Sequence, residues 1–156
     1  MKFSFDTNAF IQPWRNRYPI DLFPAFWEEI EELADKGVVL ASEEVFKEIE
    51  KKDDDLKAWL KKRPQIFRDI DEEVQRNLIN ILKQYPRLID SKKNRSMADP
   101  FVIAQAIESK AIVVTEEGSS PGSKSPKIPD VCKNLKIPCI NILTFMREIK
   151  IKFSKK

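Results

Sequence analysis

Wholly apolar stretches alternate with amphipathic ones along this chain. Residues 38–41 and 111–115 are apolar almost throughout, which is typical of strands buried on both faces. Residues 2–5 and 139–142 predict two further short strands. Helical spacing of apolar side chains predicts helices at residues 23–36, 43–51, 53–85 with a break at Pro64, 96–109 and 143–149. Polar loops are expected at residues 6–8 and 116–129.

Strands that alternate with helices predict an α/β fold with a mainly parallel central sheet. The chain has 156 residues, and we expect residues 1–156 to form a single domain. The sequence has neither an apolar run long enough to span a bilayer nor a signal-peptide pattern, so we expect a cytoplasmic protein without membrane contact. Cys132 and Cys139 fit neither redox nor zinc spacing and are interpreted as reduced packing residues.

The chain contains no histidine. Its absence excludes a Ser-His-Asp triad, a Cys-His pair and a His-Glu-x-x-His zinc site. The three glycines, Gly37, Gly118 and Gly122, cannot form a P-loop or a dinucleotide-binding motif. Any catalysis must therefore use carboxylates, lysines, a hydroxyl or a metal.

Acidic residues lie where predicted strands end and where neighbouring helices begin. Asp6 follows the first strand, and Glu117 follows residues 111–115, with Glu116 beside it. Asp99 lies in the first turn of the helix that leads to that strand, and Glu48 lies about two turns into the helix after residues 38–41. Ligand sites of open α/β sheets lie beyond the carboxyl ends of the strands, so these side chains can converge there. Two carboxylates about 5 Å apart repel by roughly 3 kcal/mol at an effective dielectric of about 20, and a hard divalent cation removes that cost.

Four segments resemble the motifs of the PIN domain superfamily, a group of metal-dependent nucleases. They are Phe5-Asp6-Thr7-Asn8, the Ser-headed helix of residues 42–49, the Asp-Pro-Phe-Val-Ile-Ala-Gln-Ala of residues 99–106, and the strand and acids of residues 111–117. Their order and spacing agree over nearly the whole chain. Residues 127–132 and 140–142 further resemble an uncharacterised PIN-like subfamily of bacteria and archaea.

The resemblance implies a three-layer α/β/α sandwich, a Mg²⁺ or Mn²⁺ cofactor and hydrolysis of RNA phosphodiester bonds. It implies that the catalytic and metal-binding residues are Asp6, Glu48, Asp99 and Glu117. Asn8 and Thr115 would support these ligands through hydrogen bonds. The fourth motif usually ends in aspartate, so the chain departs from the pattern at Glu117, and Glu116 is the substitute ligand.

The resemblance also suggests partners. Many relatives are toxins of the VapC kind, each neutralised by an antitoxin, so RNA and a protein antitoxin are the expected partners. Dimers are frequent in that superfamily, and we expect a homodimer. Basic residues near the acids in sequence are candidates for RNA binding, although a solvated surface explains each group equally well. They are Arg15, Arg17, Lys92, Lys93, Arg95, Lys124 and Lys127.

Three of the four acids also have a purely structural explanation. Asp6 suits a turn after a strand, and Ser96 with Asp99 suits a capping box. Glu48 lies on a helix whose other glutamates indicate a solvated face.

A ribonuclease, as the toxin of a toxin–antitoxin pair, is the first hypothesis for the function, and a non-catalytic PIN-like RNA- or protein-binding module is the alternative. A haloacid-dehalogenase-type phosphatase would need an aspartate where Asn8 stands.

Overall fold

The protein is described by a computed structural model that covers residues 1–88, 97–119 and 126–155. Within these ranges, five strands form one sheet: β1 (Phe3–Phe5), β2 (Val39–Ser42), β3 (Phe67–Arg68), β4 (Ile112–Val114) and β5 (Cys139–Ile140). The strand order is β3-β2-β1-β4-β5, and every neighbouring pair is parallel. The sequence-based prediction of an α/β fold with a parallel sheet is confirmed.

The register aligns the ends of the two central strands. Phe3 of β1 is opposite Ile112 of β4, and Phe5 is opposite Val114. The backbone N–H of Asp6 then donates to the carbonyl of Val114 at 2.9 Å. Because both strands finish at the same level, the residues that follow them lie side by side at the carboxyl edge of the sheet.

Helices connect the strands and cover the sheet. They are α1 (Thr7–Gln12), α2 (Pro24–Asp35), α3 (Glu43–Glu50), α4 (Asp54–Lys61), α5 (Glu72–Gln84), α6 (Asp99–Ser109), α7 (Ile128–Leu135) and α8 (Ile142–Glu148). A π-helical turn, Pro13–Arg17, extends α1, and short 3-10 turns lie at Pro64–Ile66 and Pro86–Leu88. The helix predicted at residues 43–51 begins as expected, because the hydroxyl of Ser42 accepts from the N–H of Glu44 at 3.3 Å.

Alternate residues of β1 identify the two covered faces of the sheet. The hydroxyl of Ser4 donates to the carbonyl of Val102 in α6, at 3.3 Å. Phe5 points the other way, and its ring lies 5.0 Å from the rings of both Phe10 in α1 and Phe145 in α8. With Ser4 and Phe5 both buried, the sheet is the middle layer of an α/β/α arrangement.

Three local predictions from the sequence were wrong. Residues 53–85 are not helical throughout, because β3 lies between α4 and α5, with Phe67 paired to Ala41 of β2. No polar loop follows β1, because α1 begins directly at Thr7. The segment after β4, expected to be a loop to residue 129, contains the start of α7 at Ile128.

No helix in the described ranges is long and apolar enough to cross a membrane. The thiols of Cys132, which is buried, and Cys139, which is partly buried, are free. Burial supports the interpretation of Cys132 as a packing residue, because it belongs to the apolar core that also contains Val131 and Ile128.

Candidate metal centre

Asp6 is fixed by the junction between β1 and α1. Its backbone is extended and it is the N-cap of α1, with Oδ1 accepting from the N–H of Thr7 at 2.7 Å. Only 2% of the residue is exposed, so the carboxylate lies inside the protein rather than in a surface turn. The cap explains why the chain turns here, but not why the second carboxylate oxygen is also buried and bonded.

That second oxygen is held by the end of β4. The hydroxyl of Thr115 donates to Oδ2 of Asp6 at 2.8 Å and lies 3.2 Å from Oδ1 of Asn8. The same amide oxygen of Asn8 accepts from the backbone N–H of Glu116 at 2.9 Å. The N–H of Glu117 donates back to the hydroxyl of Thr115 at 3.0 Å. Asn8 and Thr115 therefore tie the two strand ends together around Asp6.

Three carboxylates converge at this edge. Asp6, Asp99 and Glu117 each place one oxygen within 4.8 Å of the others. Asp99 is the first residue of α6 and is only 5% exposed. Ala98, not Asp99, is the N-cap of that helix, and its side chain makes no capping bond. The capping-box explanation for Asp99 with Ser96 falls outside the described residues, because residue 96 lies between the described ranges.

Glu48 lies beside this group and not within it. Its Oε1 is 3.2 Å from Nζ of Lys52, and its Oε2 accepts from the backbone N–H of Ala98 at 3.4 Å. Ala98 directly precedes Asp99, so α3 brings Glu48 to the start of α6. Its negative charge also contributes to the raised pKa of Asp6. The fully solvated face considered from the sequence is wrong for this residue, whose side chain is 13% exposed.

The two consecutive glutamates after Thr115 point to different surroundings. Oε1 of Glu116 accepts from the N–H of Ile142 at the start of α8, at 2.7 Å. Its Oε2 lies 3.2 Å from the guanidinium of Arg17. Glu117 instead lies in the carboxylate group, and its Oε2 also accepts from the N–H of Ile128 at 3.4 Å. The position of Glu117, and not that of Glu116, suits a metal ligand.

Burial raises the pKa of Asp6 from 3.8 to about 7. The negative charges of Glu117 and Glu48 add to this effect, whereas the hydrogen bonds from Thr115 and Thr7 oppose it. The ionised form of Asp6 is therefore costly in the metal-free protein. A cation placed among the carboxylates would offset that cost.

The donor set fits a hard divalent cation. Mg²⁺ and Mn²⁺ prefer oxygen ligands, and Asp6, Asp99 and Glu117 offer three carboxylate oxygens across a span that one ion can bridge. Glu48 can add a fourth carboxylate from the α3 side. The hydrogen bonds of Thr115 fix the orientation of Asp6, which is the usual function of groups that support metal ligands.

A family model with the description "Domain of unknown function (DUF4411)" matches residues 3–153. The chain belongs to the DUF4411 family. A search of curated proteins finds no match. Among solved structures, the chain resembles the crystal structure of VapBC2 from Rickettsia felis bound to a DNA fragment from its promoter, with a TM-score of 0.54 and 16% identity, over 90% of this chain and 98% of that one. This similarity shows the fold, which is PIN-like.

The basic residues of this DUF4411 protein lie in different surroundings. Arg15 donates from Nε to Asp53 at 2.8 Å and from Nη2 to the carbonyl of Lys52, so it links the π-helical turn to the start of α4. Arg17 is paired with Glu116 while its side chain stays 56% exposed. The N–H of Lys127 donates to Asp130 at the start of α7. The remaining candidates lie outside the described residues: Lys92, Lys93, Arg95 and Lys124.

Sequence reasoning missed one charged neighbour of the centre, Lys52. It lies four residues after Glu48, a spacing that places the two side chains on the same face of a helix and that was available in the sequence. Lys52 also offers its carbonyl to Arg15. Lys52 therefore contacts both Glu48, on the α3 side of the centre, and Arg15, in the π-helical turn.

Proposed function

We propose that this DUF4411 protein is a metal-dependent endoribonuclease that hydrolyses RNA phosphodiester bonds. The proposed ligands of Mg²⁺ or Mn²⁺ are Asp6, Asp99 and Glu117, with Glu48 as a fourth carboxylate beside them. The observation that carries the proposal is the convergence of three carboxylates within 4.8 Å at the carboxyl edge of a parallel sheet. The PIN-like fold supports the same reaction.

A divalent cation held by Asp6, Asp99 and Glu117 would activate a water and stabilise the negative charge on the phosphate. The chain supplies the geometry. Thr115 holds Asp6 in one orientation, and the N–H of Ile128 holds Glu117. Glu48, which α3 places at the start of α6 beside Asp99, is positioned to accept the proton of the attacking water. The water oxygen bonds to phosphorus as the P–O bond to the ribose oxygen breaks, and that oxygen takes a proton from solvent and leaves as a hydroxyl group.

RNA as the substrate, an antitoxin and a homodimer come from the resemblance to the PIN superfamily. The similarity to the VapBC2 structure supports a comparison with toxin–antitoxin systems, and we extend it to this chain as part of the proposal. Arg17, more than half exposed beside Glu116, is suited to contact an incoming phosphate. The toxin role is the more specific part of the proposal, and it requires that the protein has nuclease activity.

The test is cleavage of total RNA by the purified protein in Mn²⁺, with and without chelator. Asp6→Asn and Asp99→Asn should each lose activity on the order of a thousandfold, because each removes one charged ligand from the centre. Glu28→Gln, on the exposed face of α2, is the matched control and should cleave like the parent. Equal cleavage by all four proteins would identify a contaminating nuclease and would remove support for the proposal.

A non-catalytic module is the alternative function. The pairing of Glu48 with Lys52 favours it, because that carboxylate is already partly neutralised without a metal. Calorimetric titration with Mn²⁺ separates the two functions. A parent protein that neither binds Mn²⁺ nor cleaves RNA would be assigned to the module, whereas Mn²⁺ binding that depends on Asp6 and Asp99 supports the nuclease.

A further inference from the structure

The segment that follows α8 is strongly basic. Residues 150–155 contain Lys150, Lys152 and Lys155 and no acid, and all three lysines are exposed. Among the described residues, none of the three has a carboxylate within ion-pair distance, in contrast to Lys47, Lys52 and Lys57. We refer to residues 150–155 as the basic strap. Its positive charge is therefore available to a partner.

Two apolar residues attach the basic strap to the protein. Ile151 packs against the core, and its N–H donates to the carbonyl of Met146 at 3.2 Å. The ring of Phe153 lies 5.6 Å from that of Phe23 and 6.0 Å from that of Tyr18. Phe153 is nevertheless 41% exposed. The alternation of lysines with anchored apolar residues directs the charges outward along a fixed path.

The anchor of the basic strap is connected to the carboxylate centre. Tyr18 follows Arg17 directly, and its backbone is fixed by hydrogen bonds of 2.7 Å to Pro13 and from the indole of Trp27. The guanidinium of Arg17 reaches Glu116, the neighbour of Glu117. Tyr18, which contacts Phe153 of the basic strap, is thus the chain neighbour of the arginine that pairs with Glu116.

We propose that the basic strap, together with Arg17, binds the backbone of single-stranded RNA and leads it to the carboxylate centre. Lysine side chains beside an exposed aromatic ring are the combination that single-stranded nucleic acids bind, with phosphates on the charges and a base on the ring. The ring of Phe153, 41% exposed beside the lysines, offers a base a surface on which to stack, and this favours RNA. The assignment of a path to the centre rests on the proposed function, whereas RNA binding by the basic strap does not.

The experiment measures fluorescence anisotropy of a short labelled oligouridine with the full chain in chelator, so that no cleavage occurs. Lys152→Gln/Lys155→Gln should weaken binding about fivefold to tenfold at low salt and reduce the salt slope by about 1.4, or about 0.7 for each lost phosphate contact. Lys61→Gln/Lys62→Gln, an equal loss of charge at the end of α4, is the control and should bind like the parent. Phe153→Ala should weaken binding with a smaller change of slope.

Each outcome bears on the inference. Binding by the Lys152→Gln/Lys155→Gln protein that equals the control overturns it, as does a parent that binds no RNA, and the charge would then be assigned to an acidic protein partner. A parent that binds through the basic strap but never cleaves RNA in Mn²⁺ supports the strap and removes the nuclease. Cleavage that depends on Asp6, together with RNA affinity that does not depend on Lys152 and Lys155, supports the nuclease and overturns the proposal for the basic strap. Thermal unfolding of every variant excludes loss of folding as the cause.

Discussion

The hydroxyl of Thr115, directly after β4, donates a 2.8 Å hydrogen bond to Oδ2 of Asp6, directly after β1. The two residues are separated by 109 positions in the chain, and the parallel register of β1 with β4 places them side by side. The bond lowers the pKa of Asp6 against the stronger effect of burial. Thr115 therefore acts on the centre through Asp6 and is a positioning residue.

Thr115→Val should weaken Mn²⁺ binding about tenfold to a hundredfold, the usual effect of removing a group that orients a metal ligand. The valine is similar in shape to threonine but cannot donate to Asp6 or accept from the N–H of Glu117. Isothermal titration with Mn²⁺ measures the loss. Thr115→Ser should restore most of the affinity, and a valine variant with parental affinity would show that the hydrogen bond does not position Asp6.

Glu117 and Glu116 should respond differently to the same substitution. Glu117→Gln removes a carboxylate from the centre and should abolish most Mn²⁺ binding and cleavage. Glu116→Gln should keep Mn²⁺ binding and lower the free energy of unfolding by about 0.2–1 kcal/mol, because it removes the charge that pairs with Arg17 while its amide oxygen can still accept from the N–H of Ile142. Isothermal titration with Mn²⁺ and thermal unfolding of both variants test this difference between Glu117 and Glu116. The reverse pattern would assign Glu116 as the ligand.

The metal-free protein should lose stability as the pH rises from 3.8 to about 7. Asp6 has a pKa of about 7 when folded and an ordinary value of 3.8, so between these values the folded state holds a proton that the unfolded state lacks. The penalty is absent below 3.8 and complete above 7, and the difference corresponds to at most about 4 kcal/mol. Asp6→Asn should therefore be more stable than the parent at pH 8 in chelator, with the gap closing toward pH 4. Denaturant unfolding at a series of pH values measures the difference in the free energy of unfolding between Asp6→Asn and the parent. An Asp6→Asn protein that is less stable than the parent at pH 8 would contradict the cost of burying the ionised carboxylate.

Continuous apolar runs were enough to predict two of the strands that lead to the centre. Residues 38–41 and 111–115 are almost continuously apolar, so their sequence indicates strands, and β2 and β4 lie there with most of their residues buried. The two-residue β3 was missed because Phe67 and Arg68 carry no pattern of their own and form a strand only by pairing with Ala41 and Ser42. Long-range pairing of this kind is decided by tertiary contacts and not by local propensity.

The choice between the two glutamates after Thr115 was also beyond the sequence. Successive residues point in different directions, but which one faces Asp6 depends on where α8 begins and on the placement of Arg17. The position of Glu48 is a similar case. The resemblance implied that Glu48 is a ligand, but the four glutamates on α3 left a solvated face as the alternative, and only the contact with the N–H of Ala98 places Glu48 beside the centre.

Lys52 should partly neutralise the carboxylate of Glu48, so a substitution that removes the charge of Lys52 should strengthen metal binding. Nζ of Lys52 lies 3.2 Å from Oε1 of Glu48, and more than half of the lysine side chain is exposed, so the pair contributes about 0.2–1 kcal/mol. Lys52→Gln should therefore raise the Mn²⁺ affinity by a factor of about two to five, because Glu48 then offers its full charge to the ion. Lys51→Gln, an equal change of charge at the exposed neighbouring position, is the control and should have a smaller effect. Equal affinities for the two variants would mean that Glu48 does not contribute to the metal site, which would leave Asp6, Asp99 and Glu117 as the complete ligand set from the chain.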